Sequence, residues 1–149
     1  MTAQYQYSEG HILTLIERIR EDQLSTPDGF FMTPVTELTA CYNGIGPDSW
    51  SPALRSLTTR LLDLYEAEAL IHDWEYTYQP RTSSAFLAAN IRFAWNVICA
   101  AFRCRMIPLK LRLKRAACGV LLASLCQMFG WKGYLQTPKK IIGFTQNEN

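Results

Sequence analysis

Residues 53–78 contain neither glycine nor proline, and this unbroken stretch constrains the fold more than any other feature of the chain. Leu54, Leu57, Leu61, Leu64, Glu68, Ile71 and Glu75 recur at three- and four-residue spacing. That repeat lines side chains along one face of an α-helix. Ser51 and Pro52 suit a helix start, since serine caps orphan N–H groups and proline at the first helical position loses no hydrogen bond. Pro80 stops the run. The spacing predicts a helix over residues 51–78.

Similar patterns flank it. Ile12, Leu15, Ile16 and Ile19 predict an amphipathic helix over residues 8–23, ended by the turn residues of "STPDG". Residues 30–50 hold Pro34, Pro47 and two glycines and read as an ordered loop, with a short strand over residues 35–42. A helix opening at Ser83 or Ser84 runs through "AFLAANIRFAWNVICAAFRCR", apolar on most sides and therefore expected to be buried. After Pro108 the pattern alternates leucine with lysine or arginine and then becomes apolar. Residues 116–131 are 16 uncharged positions, short of the roughly 17–25 that span a bilayer, which favours a core helix over a membrane span. An interfacial helix with Lys110, Arg112, Lys114 and Arg115 at its head is the alternative. The expected fold is all-α, one domain over residues 1–149. It consists of four or five helices: an N-terminal helix and loop (1–50) and a helical core (51–149).

Charge is segregated along the chain. Residues 1–75 carry four bases and twelve acids, a net −8, whereas residues 76–149 carry eleven bases and one acid, a net +10. Such a basic half suggests an anionic membrane surface, an acidic protein or nucleic acid as partner, unless the two halves pack together and cancel. No nucleic-acid recognition motif accompanies the charge, so nucleic acid is the weaker expectation. The five cysteines form no C-x-x-C pair, and the first twenty residues lack the basic start and apolar run of a secretion signal. Both point to the cytoplasm, with peripheral attachment to a membrane open to the basic helix.

The chain has two histidines, and His72 stands in "ALIHDWEYTY" beside Asp73, with Tyr76 four residues on. Adjacent helical residues project about 100° apart, so His72 and Asp73 serve neighbouring tasks rather than bonding to each other. Asn90 shares a stripe with Phe86, Phe93 and Val97 and is expected to point inward from the next antiparallel helix. This polar group reads either as a site or as a set of buried groups satisfied by one another. His11 reads as a surface or capping residue.

The string His72-Asp73-Trp74-Glu75-Tyr76 resembles the HDxxY active-site helix of phospholipase A2 and its small bacterial and viral relatives. Tyr42-Asn43-Gly44-Ile45-Gly46 is similar to that family's upstream Y-x-G-x-G loop. The chain also resembles small phage- and prophage-encoded proteins of unknown function that share an iHDxxY helix. The phospholipase resemblance covers residues 41–76. It implies a calcium-dependent lipid esterase, or a catalytically degenerate derivative, with His72 as general base and Tyr76 as support. It also implies calcium held by Asp73 and the backbone carbonyls of Tyr42, Gly44 and Gly46. The family orients its histidine with an aspartate from the following helix. Here that helix has no acid; Ser83 or Ser84 stands near the expected place and Asn90 is the nearest inward polar residue. The paired cysteines of the secreted enzymes are missing as well.

The implied loop also needs a break in the long helix. Twenty-one residues of straight helix separate Ser51 from His72 by about 31 Å, whereas the chain from Gly46 to Ser51 reaches at most about 18 Å. The expected break lies at residues 56–59, "SLTT", where hydroxyl side chains weaken a helix. The alternative to an enzyme is a non-enzymatic phage-type helical protein that binds a host protein or nucleic acid through its basic half.

Overall fold

A computed structural model describes residues 7–42, 64–103 and 106–137. Within them the protein is all-α, with six helices and no strand. These are α1 (Glu9–Glu21), α2 (Val35–Cys41), α3 (Glu66–Tyr78), α4 (Ser83–Arg103), α5 (Leu109–Phe129) and α6 (Trp131–Gln136), with a 3-10 turn at Phe30–Met32. Two are short helices that exceed the expected four or five.

The amphipathic reading of α1 holds residue by residue. Ser8 caps it by accepting from the His11 N–H, and Ile12, Leu15, Ile16 and Ile19 are its buried positions. They meet Phe30, Leu38, Leu70, Ile71, Trp74, Phe93 and Val97 in one core. The expected strand over residues 35–42 is a helix instead. Pro34 O accepts from both Glu37 N–H and Leu38 N–H, and Leu38 and Cys41 turn inward. The β-branched residues Val35, Thr36 and Thr39 suggested a strand, but a proline just ahead of the first turn and the spacing of the buried side chains favour a helix.

The long central helix is shorter than its pattern. It begins at Glu66 with Tyr65 as N-cap, and Leu64 and Tyr65 form a turn. Residues 64–65 are thus not helical; the expected start at Ser51 and break at 56–59 lie outside the described residues. The Glu68–Ile71–Glu75 part of the stripe is buried as the spacing requires, glutamates included. Pro80 ends α3 after Gln79, and four residues later α4 returns antiparallel.

Two expectations of burial fail. α4 buries Phe86, Ala89, Asn90, Phe93, Asn96, Val97 and Ala101 but leaves Leu87, Ile91, Trp95 and Phe102 exposed. By length and composition α4 could cross a membrane, with mean hydropathy 1.5 over its best window. Its polar residues nonetheless bind it to the rest of the protein. Asn96, 1% exposed, accepts from Ser25 N–H and donates to Ser25 O, both at 2.8 Å. α5 is not a core helix. It buries only Ala116, Gly119 and Ala123, and Leu113, Leu121, Leu125, Met128 and Phe129 face outward. Small residues let α5 approach α4 along one line, while its large side chains lie on the far side, which no described element covers.

Gly119 sets that approach. A β-carbon there would fall 1.9 Å from Val97 Cγ1. Gly119→Ala should therefore destabilise by up to about 2 kcal/mol, an overpacking cost of about 1–3 kcal/mol less a gain of about 1 kcal/mol in helix propensity. Urea denaturation checks this, with Val97→Ala in the same chain expected to recover most of the loss.

Candidate functional site

His72, Tyr76 and Asn90 meet where α3 packs on α4. The Asn90 Nδ2 group donates to Phe86 O and to Gln127 Oε1, each at 2.9 Å. Phe86 O is a backbone carbonyl and can only accept, so it sets the orientation of the amide. Asn90 Oδ1 is thereby turned toward His72 Nε2 at 3.0 Å and the Tyr76 hydroxyl at 3.3 Å. An amide oxygen can only accept, so Nε2 carries the imidazole proton and the lone pair falls on Nδ1. Burial pushes the Tyr76 phenol well above its usual range, keeping it a donor.

Nδ1 lies 3.9 Å from Asp73 Oδ1, beyond hydrogen-bond reach, as the 100° offset between neighbours requires. The ring is held between Tyr76 and Phe93, with centroids 4.1 and 5.2 Å away. His72 is 9% exposed. The Asp73 side chain is more open, at 20%.

α6 covers one end of this site. Tyr134, wholly buried, packs against Tyr76 and Phe86, and its hydroxyl donates to Pro80 O. Arg81 lies over the Tyr134 ring and donates to the carbonyls of Tyr76, Tyr134 and Thr137. Gln127, which completes the Asn90 network, borders an open hollow of about 480 Å³ with Ser83, Ser84, Phe86 and Trp131. The serines therefore line this hollow, and Asn90 is the residue that faces the imidazole.

The expected calcium ligands are placed in part. Asp73 flanks His72; Gly44 and Gly46 lie outside the described residues. Tyr42 is buried just past the end of α2, its ring 4.6 Å from that of Tyr7. Among the described residues no group of three or more His, Cys, Asp or Glu side chains converges. Asp73 is thus the one expected carboxylate ligand among the described residues, whereas calcium needs six to eight oxygens. Cys41, Cys99, Cys118 and Cys126 form no disulfide among the described residues.

Two carboxylates on the same helix escaped notice as titrating groups. Glu75, 2% exposed, pairs with Arg92 of α4; its second oxygen has no partner, and burial pushes its carboxyl up to about 7 against the pull of Arg92 and His72. Glu68 is completely buried and is likewise pushed up to about 7 by burial. The signal was present: glutamates at helical spacing with Leu64 and Ile71. His11 does more than cap a helix, stacking on Tyr7 with Nε2 3.3 Å from Glu66 Oε1. No protein-family model, curated protein or solved structure matches this chain.

Proposed function

We propose that the His72 site is a phospholipase A2-like esterase site acting on lipid at an anionic surface. The observation that supports this reading is the Asn90 clamp. It holds a protonated Nε2 and leaves Nδ1 as the base, on the side where Asp73 stands. In the reaction His72 Nδ1 takes a proton from water as its oxygen bonds to the ester carbonyl carbon, and the carbonyl electron pair moves onto oxygen. Collapse of that intermediate breaks the bond to the alkoxide, which receives the proton from Nδ1. Calcium, when bound at Asp73 with the carbonyls that the resemblance implies at Tyr42, Gly44 and Gly46, supplies positive charge for the oxyanion. Asn90 and Tyr76 position the ring without touching substrate.

Exposed apolar side chains on α4 (Trp95, Phe102) and on α5 (Leu121, Leu125, Phe129) support a lipid surface as the place of action, and Lys110 and Lys114 lie at the head of α5. Apolar contact with basic flanks suits an anionic interface. The test is fatty-acid release from phosphatidylglycerol vesicles in calcium and in EDTA. Wild type should release fatty acid only with calcium, and Asp73→Asn should lose about 100-fold or more, as should His72→Ala assayed well below its lowered melting temperature. Calcium-independent release, or none, sinks the proposal. Salt-sensitive binding to an acidic protein or nucleic acid without hydrolysis would instead identify the non-enzymatic reading, which rests on the same exposed basic head.

A further inference from the structure

The open hollow of about 480 Å³ is lined by Ser83, Ser84, Phe86, Leu87, Gln127 and Trp131. It lies where the first turns of α4 meet the end of α5 and the start of α6. Residues 76–149 are net +10, yet no charged side chain lines this hollow. Its volume is that of a small-molecule site.

The walls are of two kinds. Trp131, half-buried, is a flat platform held from behind. Its indole meets the Phe86 ring edge-on with centroids 5.2 Å apart and stacks beside Tyr134 at 5.8 Å. Phe86 and Tyr134 are themselves buried, and Arg81 fixes α6 through the carbonyls of Tyr134 and Thr137. The indole is therefore in place before a ligand arrives, which removes an ordering cost on binding. Gln127 supplies the polar side. Its Oε1 accepts from Asn90 Nδ2 at 2.9 Å, so the exposed amide keeps Nε2 as a donor with no partner among the described residues. The exposed Ser83 hydroxyl also bonds to no described residue.

These walls select by exclusion. An anion needs a cation and a cation needs a carboxylate, and neither lines the hollow. An alkyl chain would cover the glutamine and serine donors without pairing them. A pyranose matches both walls. Its C–H groups form an apolar face that lies on the negative face of an aromatic ring, and its rim hydroxyls both donate and accept.

From this arrangement we infer that the hollow binds a neutral sugar, its ring stacked on Trp131 and its rim hydroxyls bonded to Gln127 Nε2 and the serine hydroxyls. The site is independent of the His72 chemistry. The same ligand chemistry is available from a soluble saccharide and from the headgroup of a glycolipid.

The test follows the indole N–H signals by nuclear magnetic resonance during titration with methyl glucoside, methyl galactoside, methyl mannoside and N-acetylglucosamine. Trp131→Phe assigns the Trp131 signal. Glycerol has hydroxyls without a flat face and cyclohexanol has a ring with a single hydroxyl, so both serve as controls. At least one pyranose should shift the Trp131 signal saturably and bind tenfold or more tighter than either control. Trp131→Leu keeps apolar bulk but removes the ring and should weaken that binding at least tenfold, whereas Trp131→Phe should weaken it less. Leu87→Arg alters an exposed wall position and should also weaken it tenfold at an unchanged melting temperature, whatever Trp131→Leu does to folding. Sedimentation with phosphatidylcholine vesicles, with and without galactosyl diacylglycerol, separates the sources. A Trp131-dependent preference for galactolipid vesicles assigns a headgroup; binding of a free pyranose without that preference assigns a soluble saccharide. Either result supports the site. No pyranose outperforming the controls together with no galactolipid preference overturns it. So does sugar binding that leaves the Trp131 signal unmoved or survives either substitution.

Discussion

The protein should lose stability as the pH rises from about 5 to about 8, opposite to the trend of a protein held by surface carboxylate pairs. Glu68 and Glu75 are both raised from 4.5 to about 7, and desolvation is the largest cause for each. A carboxyl whose folded pKa lies above its unfolded value binds more protons in the native state. Its stabilising contribution is therefore full below about 4.5 and is lost as the pH passes through about 7. Each group is worth roughly 3 kcal/mol at most, at 1.36 kcal/mol per unit. Groups around Glu68 are Arg18 and Asp22; those around Glu75 are Arg92 and His72. Urea midpoints at pH 5 and pH 8 measure the fall, and Glu68→Gln should remove about half of it. A flat profile would mean that both carboxylates reach solvent or a donor.

Asn90→Ala should be the most damaging single change at the site, in stability and in chemistry. It removes the partner of the buried His72 Nε2 and of the half-buried Tyr76 hydroxyl in one step, while the exposed Gln127 can turn to water. Loss of a buried network of this kind costs about 2–4 kcal/mol, at roughly 1 kcal/mol per bond plus the desolvation of partners left unpaired. The imidazole is then free to move its proton to Nδ1, the atom that the proposed reaction needs as its base. Nitrogen-15 shifts of the His72 ring should report the Nε2–H tautomer in wild type and a mixture in Asn90→Ala, whether or not a substrate is known. Asn90→Asp tests the amide orientation separately. A carboxylate cannot donate to Phe86 O, so this variant should also lose stability at neutral pH although it places an acid beside the imidazole.

The antiparallel pairing of the His72 and Asn90 helices was legible in the chain because both faces carry a helical repeat and Pro80 permits only a short connection. So was the α1 face, where Ile12, Leu15, Ile16 and Ile19 leave one arrangement of the helix against a core. α2 was not legible. Valine and threonine favour extended backbone locally, and that preference is smaller than what Leu38 and Cys41 gain by packing. Glu68 and Glu75 were placed on the right stripe, but a glutamate on a helix ordinarily reaches water. Only the neighbours that close over it turn it into a titrating group.

By itself, then, the sequence determined the helical class, the α1 and α3 faces and the residues able to form a polar cluster, because spacing and turn chemistry act within one segment. The tertiary structure decided which apolar faces are covered. Composition marks Trp95 and Leu121 as averse to water, but no local rule states whether another helix will shield them. It also decided the identity of the proton-bearing nitrogen, since that depends on an asparagine 18 residues away whose amide is oriented by Phe86 O and reaches Gln127 on a third helix.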